Sequence, residues 1–471
     1  MRKVISMLMV CIMLLGINFS GEIPIMEKAD AKAGYSNEVR GVWVAFCDFY
    51  SLGLKDKGKS TYRKNVIKFL NKAKENKINR VYLHVRAFDD ALWKSNTFKG
   101  CSYLSGRASS KKTAAKTYTY DPLQIFIAEA HSKGIKIEGY MNPYRITYDK
   151  FLNPASSNST ARINKAVEEL KSYDLDGIHF DDYFYHSKKW YVTPSDGSKY
   201  SLKVTGSSTT KKPSAKKKRK YVNAMLRSVK TNVKEKSGAI FGVSPAGNYE
   251  NCMSSGADVK TWLGEEGATY VDYVIPQLYW TNRWGYKGKI KMYSSRLNTF
   301  VKLWKNKSVN LYIGLGSYRA SANDSGDRGW HLSKQNLAKQ VKELREKGAR
   351  GYVLFEGKDL FRAGAKKELY YLKRFLLFNK IDKIAKKTAR IKRLKFKYAK
   401  ITIKKGRTKK LKINWKQVCK KKKYVKFRTS NRRIVTVSRY GKIRAKRRRG
   451  TATIIAWTKT GKVARCKIRV R

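Results

Sequence analysis

Two adjacent carboxylates and two phenols close an apolar run, Asp176-Gly177-Ile178-His179-Phe180-Asp181-Asp182-Tyr183-Phe184-Tyr185. Side chains alternate along a strand, so His179 and Asp181 share one face while Ile178 and Phe180 pack the other. Parallel α/β sheets and barrels bind ligands where their strands end. A carboxylate at that position suits the cleavage of an acetal, which needs one carboxylic acid to protonate the leaving oxygen and one carboxylate to attack or to activate water. Asp181 is expected to be the nucleophile or cation stabiliser, oriented by His179. Asp182 or Glu356 is expected to serve as acid/base, with Glu250 and Glu138 as further candidates for the acid.

Other polar groups fall at the same level of the chain's periodic pattern. His84 and Arg86 share a strand face ahead of Asp90. Glu138, Tyr140 and Asn142 share another, followed by Tyr144 and Arg145. Gln277, Tyr279 and Trp280 end a third run. Aromatic rings stack on sugars, while Asn, Gln and Arg hydrogen-bond hydroxyls and carboxylates. Arg86, Asp90, Asn142, Tyr144, Arg145, His179, Tyr183, Gln277, Tyr279 and Trp280 are therefore the expected substrate contacts. The histidines at 84, 131, 179, 186 and 331 lack metal-ligand spacing, and no phosphate loop or serine elbow is present. No metal or cofactor is expected.

These residues need a scaffold. From residue 40 onward, short β-branched or aromatic runs alternate with amphipathic helical segments. Residues 41–46, 80–86, 136–141, 177–181, 239–244, 273–278, 310–315 and 351–355 read as strands. Residues 61–76 read as a helix with Val66, Phe69, Leu70 and Ala73 on one face. Another starts at Asp121-Pro122 and ends at Gly134. Eight such units predict an α/β fold, a TIM (β/α)8 barrel; without a glycine-rich nucleotide loop, an open doubly wound sheet fits less well. Insertions at about 94–119 and 187–217 each follow a strand end and are expected to loop over the mouth.

After about residue 380 the texture changes. Short alternating runs punctuated by glycines at 406, 441, 450 and 461 predict an all-β sandwich. The expected organisation is a signal peptide over 1–31, a barrel over 38–378, a basic linker over 379–397 and a β-sandwich over 398–471. Arg2 and Lys3, an apolar run and small-residue sites form the three-part export pattern, so the chain is expected to be secreted, with no membrane contact after cleavage. Cys47, Cys101, Cys252, Cys419 and Cys466 show no CxxC spacing; Cys419 and Cys466 are a candidate pair.

The chain has 471 residues and a formal net charge of +71, with a pI near 10.2. A surface this basic repels itself or meets acidic polymer. Cell-wall anionic polymers, reached through the C-terminal region, are the expected partners, together with a polysaccharide substrate. No groove-reading motif points to specific nucleic-acid binding.

Taken together, several segments resemble the glycosyl hydrolase-like 10 family: Arg40-Gly41-Val42-Trp43, Val85-Arg86 with Asp90 to Ser95, and Tyr120-Asp121-Pro122-Leu123. Asn142-Pro143-Tyr144-Arg145, Asp176 to Tyr185, Ser244-Pro245-Ala246-Gly247 and Asp272 to Trp280 continue the match, in order, over roughly 38–360. The resemblance implies a TIM barrel and hydrolysis of glycosidic bonds, with bacterial cell-wall glycan as the substrate class. Two departures stand out. Glu138 takes a position where the family usually has His, and Lys217-Lys218-Arg219-Lys220-Tyr221 replaces a Trp-Arg-Arg stretch. Residues 403–406, 429–431, 434–437, 441–443 and 450–454 are similar to the bacterial Ig-like domain of the second group. The expected function is a secreted glycoside hydrolase of cell-wall glycan tethered by a basic Ig-like domain. The rival is a non-catalytic wall-binding or adhesion protein.

Overall fold

The computed structural model describes residues 37–105, 112–185, 190–194, 202–206, 213–236, 238–379, 381, 391–417, 425–458 and 463–471. The proposed signal segment lies outside the described residues, as do His186 and Cys419, and with Cys419 its proposed pairing. The chain divides into two compact units, Met1–Asp382 and Lys383–Arg471.

In the first unit the strands are β1 (Val39–Val44), β2 (Arg80–Arg86), β3 (Lys136–Met141), β4 (Gly177–Phe180), β5 (Ile240–Val243), β6 (Tyr273–Val274), β7 (Asn310–Leu311 and Ile313–Leu315) and β8 (Gly351–Leu354). All pair in parallel, in chain order. β7 takes Asn310–Leu311 to β6 and Ile313–Leu315 to β8, and β8 pairs β1, so the ring closes. Nearly every strand residue is buried, as expected of strands covered on both faces. The helices α1 (Lys59–Glu75), α2 (Pro122–His131), α3 (Ser157–Leu170), α4 (Ala215–Lys234), α5 (Val259–Leu263), α6 (Met292–Leu303), α7 (Asn336–Glu346) and α8 (Lys366–Phe378) follow the strands in turn. The Asp121 side chain caps α2 by accepting from the Gln124 N–H at 3.0 Å. Eight strand–helix units thus fall where the periodicity put them. The sixth strand is shorter than expected because Pro276 breaks the ladder, leaving Gln277 in single bridges to Ala246 and Gly314.

The barrel interior is aromatic, with Trp43, Tyr82, Tyr140, Tyr273 and Tyr312 packed together. Gly242 makes room for this packing, since a Cβ there would lie 2.1 Å from the Tyr273 ring. A chain of polar groups runs through this layer. The Trp43 indole donates to His179 Nε2 at 3.3 Å, and His179 Nδ1 meets the Tyr273 hydroxyl at 3.0 Å. Tyr273 donates to Glu138, which also ion-pairs with Arg80. Indole can only donate, so Nε2 accepts and His179 is the neutral Nδ1–H tautomer. Burial agrees, lowering its pKa to about 3.

The second unit contains β9 (Ile391–Phe396), β10 (Lys400–Ile403), β11 (Thr408–Lys410), β12 (Ile413–Gln417), β13 (Val425–Thr429), β14 (Val435–Val437), β15 (Lys442–Ala445), β16 (Gly450–Thr458) and β17 (Val463–Val470). One sheet has the order β10-β17-β16-β13, a second β11-β15-β14, and β9 pairs β12. Ile403, Leu411, Val435, Ile443, Ile454 and Ile468 share one core. β9 begins inside the stretch read as a basic linker. Its lysines and arginine disguise a strand that pairs antiparallel with β12.

The Glu138–Arg80 pair sets a stability test. Glu138→Ala leaves a buried guanidinium without its counter-charge and is expected to cost about 3–5 kcal/mol in denaturant unfolding, with Arg80→Met/Glu138→Met recovering most of it. A Glu138→Ala variant within about 1 kcal/mol of wild type would contradict the pair's structural role.

Candidate active site

Strand ends deliver carboxyl groups to two places around the barrel mouth. The first is the end of β4. Asp181 and Asp182 are each only partly buried, so the pair meets solvent. Asp181 Oδ1 accepts from the Gln277 side-chain amide at 2.9 Å and from the Asp182 N–H at 2.9 Å. Gln277 is itself fixed by donating to the Ser244 carbonyl at 3.1 Å. The two carboxyl groups also hydrogen-bond each other, and the pair titrates as a unit. Desolvation raises both pKa values. Asp182 goes furthest, well above the usual carboxylate range, because the Asp181 charge adds to the cost of burial. The amide donors and Arg145 hold Asp181 down by comparison. Asp181 therefore gives up its proton more readily than Asp182.

Arg145 is the counter-charge on this side. Its guanidinium lies over Phe88, Tyr148 and Tyr183, at 4.9, 5.2 and 4.7 Å from the ring centroids. That stacking holds a cation beside the aspartates without neutralising them by direct pairing.

The second place is formed by the ends of β1 and β8. Glu356 is 5% exposed and accepts from the Lys358 ammonium at 2.6 Å and from the Cys47 thiol at 3.2 Å. Asp48, fully buried, accepts from the Ala45 and Gly357 N–H groups at 3.2 and 3.0 Å, and Lys358 lies 3.4 Å from its other oxygen. Burial, and then the Glu356 charge, raise the Asp48 pKa to about 8. Burial, and then the Glu356 and Asp48 charges, push the Cys47 thiol up to about 12. Cys47, Asp48 and Glu356 bring ligand-type atoms within 4.8 Å of one another, but Lys358 supplies the positive charge there. Between the two acidic groups stand Tyr140 and Tyr279, and each feels the charge of both Asp181 and Glu356. The carboxyl groups from β4 and from β1/β8 thus face one mouth.

Aromatic walls surround it. Tyr279 stacks on Phe355 with centroids 5.6 Å apart and meets Tyr318 edge-on at 5.7 Å, and Trp280 packs edge-on against Trp284. On the other side a cavity of about 550 Å³ is lined by Phe46, Cys47, Tyr50, Phe88, Tyr103 and Tyr148, with Lys55 and Lys99 at its edge. Asp90 lies in its floor, where the Ala87 and Phe88 N–H groups hold it and burial raises its pKa to about 6.

Of the expected residues, Asp181, Asp182, Tyr183, Arg145, Gln277, Tyr279, Trp280 and Glu356 gather around the mouth, and Asp90 is in the cavity floor. Four expectations are corrected. Arg86 is fully buried and pairs with Asp89, while also donating to the Asn142 and Pro143 carbonyls at 3.2 and 3.1 Å; it braces the loop after β2. Asn142 is buried and donates to the Ala87 carbonyl at 3.2 Å. Tyr144 is fully buried in the apolar core. His179 is engaged by Trp43 and Tyr273 rather than by Asp181. Glu138 belongs to the barrel interior, and exposed Glu250 pairs with Arg296 at 3.2 Å. Asp48 and Lys358 were missed. Asp48 does occupy the first acidic position after β1, the same relation that Asp181 has to β4.

Residues 146–331 match the family model described as glycosyl hydrolase-like 10, and residues 391–468 match that of the bacterial Ig-like domain (group 2). The matched part of the barrel is similar to the glycosyl hydrolase-like 10 domain. Over 395 residues the chain is 25% identical to "Glycosyl hydrolase YngK" of Bacillus subtilis (strain 168), covering 72% of this chain and 71% of that protein. It is 26% identical over 316 residues to "Glycosyl hydrolase DigH" of Escherichia coli (strain K12), covering 54% and 66%. Among solved structures, the endo-beta-1,4-mannanase from Thermotoga petrophila is similar at a TM-score of 0.45 and 11% identity, covering 93% of this chain and 99% of that one. The family match and the named relatives agree with the paired carboxyls at the mouth, and the chain is a glycoside hydrolase.

The Asp48 environment gives a pH test. An unfolded aspartate ionises near 3.8 and the folded one near 8, so between these values the folded state binds more protons and stability falls as pH rises. Asp48→Asn lacks that loss. Its melting temperature is expected to gain on the wild type between pH of about 4 and about 8. A difference that does not change with pH would contradict the assignment.

Proposed function

We propose that this glycoside hydrolase is exported and cleaves glycan of the bacterial cell wall, to which its basic Ig-like unit tethers it. The observation that carries the chemistry is the hydrogen-bonded Asp181–Asp182 pair at the opening of the barrel, in which Asp182 holds its proton more tightly. In this reading Asp182 protonates the leaving glycosidic oxygen as the C–O bond breaks, Asp181 stabilises the developing positive charge at the sugar carbon, and a water adds there, returning a proton to Asp182. Glu356, held by Lys358, is the second acid/base store on the facing wall. Tyr279, Trp280 and the aromatic cavity beside Cys47 form sugar-stacking surfaces.

Three features support a wall substrate. The N-terminal sequence has the export pattern. Lys55 and Lys99 edge the cavity, which favours a glycan carrying anionic substituents. The net charge of +71 favours residence among acidic polymers.

Incubation with purified peptidoglycan, intact and stripped of its peptides, tests the reading, with released fragments identified by mass. Oligosaccharides are expected from the stripped strands. Asp181→Asn is expected to lower turnover by ~10³-fold while glycan binding stays within about threefold of wild type. No fragments from either preparation, or full turnover by the variant, would refute the proposal.

A further inference from the structure

No aspartate or glutamate follows Asp382 in the sequence, so the second unit is a β-sandwich without a single side-chain carboxylate. Its cations have no acidic side chain within the unit to pair with. Their placement on one sheet is ordered.

β17 is an inner strand, between β10 and β16. Its residues alternate exposed and buried: Ala464, Cys466, Ile468 and Val470 point inward, and Arg465, Lys467 and Arg469 point outward. At ~3.4 Å of rise per residue, these outward cations recur about every 7 Å. The register continues the pattern sideways. On β10, exposed Lys400 is level with Lys467 and exposed Thr402 with Arg469. On β16, Thr451 and Thr453 stand beside Arg469 and Lys467, and Ile455 beside Arg465. β13 adds exposed Arg428 level with Ile455, and Lys426 level with Trp457. Six cations therefore share one sheet face with threonine hydroxyls between them.

We propose that this outer face binds a linear polyol-phosphate chain, whose charges recur singly along a flexible backbone. Guanidinium groups take phosphate oxygens in pairs, and neighbouring hydroxyls and ammonium groups add single hydrogen bonds. The one large ring of this face, Trp457, is partly buried with the Arg428 guanidinium 5.7 Å from its centroid, so it offers no stacking platform for successive bases. The choice of a wall polymer rests on the cell-wall reading above; the binding face itself rests on register and exposure.

The test uses the full chain with poly(glycerol phosphate) as probe, titrated at several salt concentrations beside single-stranded DNA of equal charge. Arg465→Glu/Lys467→Glu/Arg469→Glu reverses the ladder. Arg447→Glu/Arg448→Glu/Arg449→Glu makes the same change of charge in an exposed loop of the same unit. The ladder variant is expected to lose at least about tenfold in affinity and to lower the logarithmic salt slope by ~2, the loop variant less than threefold. If charge reversal unfolds the unit, the corresponding glutamine triple replaces it, with an expected loss of at least about threefold. Equal loss from ladder and loop variants would overturn the localised face, and tighter binding of DNA at equal charge would overturn the polyol-phosphate partner. Turnover of soluble peptide-free glycan, read on the same variants, is expected to be unchanged. That readout separates failure of this face from failure of the hydrolase reading.

Discussion

The contact between the Asp181 and Asp182 carboxyl groups governs the mouth of this barrel. Two adjacent acids in a partly desolvated site cannot both ionise cheaply, so one keeps its proton. The surrounding groups decide which. Gln277 and a backbone N–H favour charge on Asp181, and Arg145, held between aromatic rings, keeps that charge tolerable. The result is a pair in which Asp182 holds its proton more tightly than Asp181, an inequality of the kind that acid/base chemistry uses. Asp48 and Glu356 form a second acidic pair at the ends of β1 and β8, with Lys358 as the fixed counter-charge.

The fold places these groups by holding its own polar residues apart from them. The Trp43–His179–Tyr273–Glu138–Arg80 chain pairs its own polar groups with one another inside the barrel. Arg86 and Asp89 do the same for the loop after β2. Groups engaged in this way are structural, and those left at strand ends with partial exposure are available for substrate.

The sequence pattern exposed the barrel because eight short apolar runs, each covered on both faces, are hard to mistake for anything else, and Asp181 was legible for the same reason. Alternation along a strand shows which face a residue takes but not how far down the barrel it sits. His179 was thereby read as a partner of Asp181, although it lies a level deeper, and Arg86 and Asn142 were read as ligands although each is held by backbone carbonyls. Asp48 was invisible for a different reason: its importance comes from Gly357 and Lys358, which are remote in sequence and meet it only when β8 closes on β1. In the second unit, lysines within β9 hid a strand whose apolar positions are few.

The chemistry proposed for the barrel mouth requires Asp181 and Asp182 to share one proton at the pH where the enzyme works. Carbon-13 NMR of side-chain carboxyl signals, assigned by single Asp→Asn substitutions and followed from acid to alkaline pH, reads it directly. One of the two signals is expected to stay protonated well above the ordinary aspartate range while its neighbour is already ionised. Independent titration of both near 4, the value of free aspartate, would contradict it.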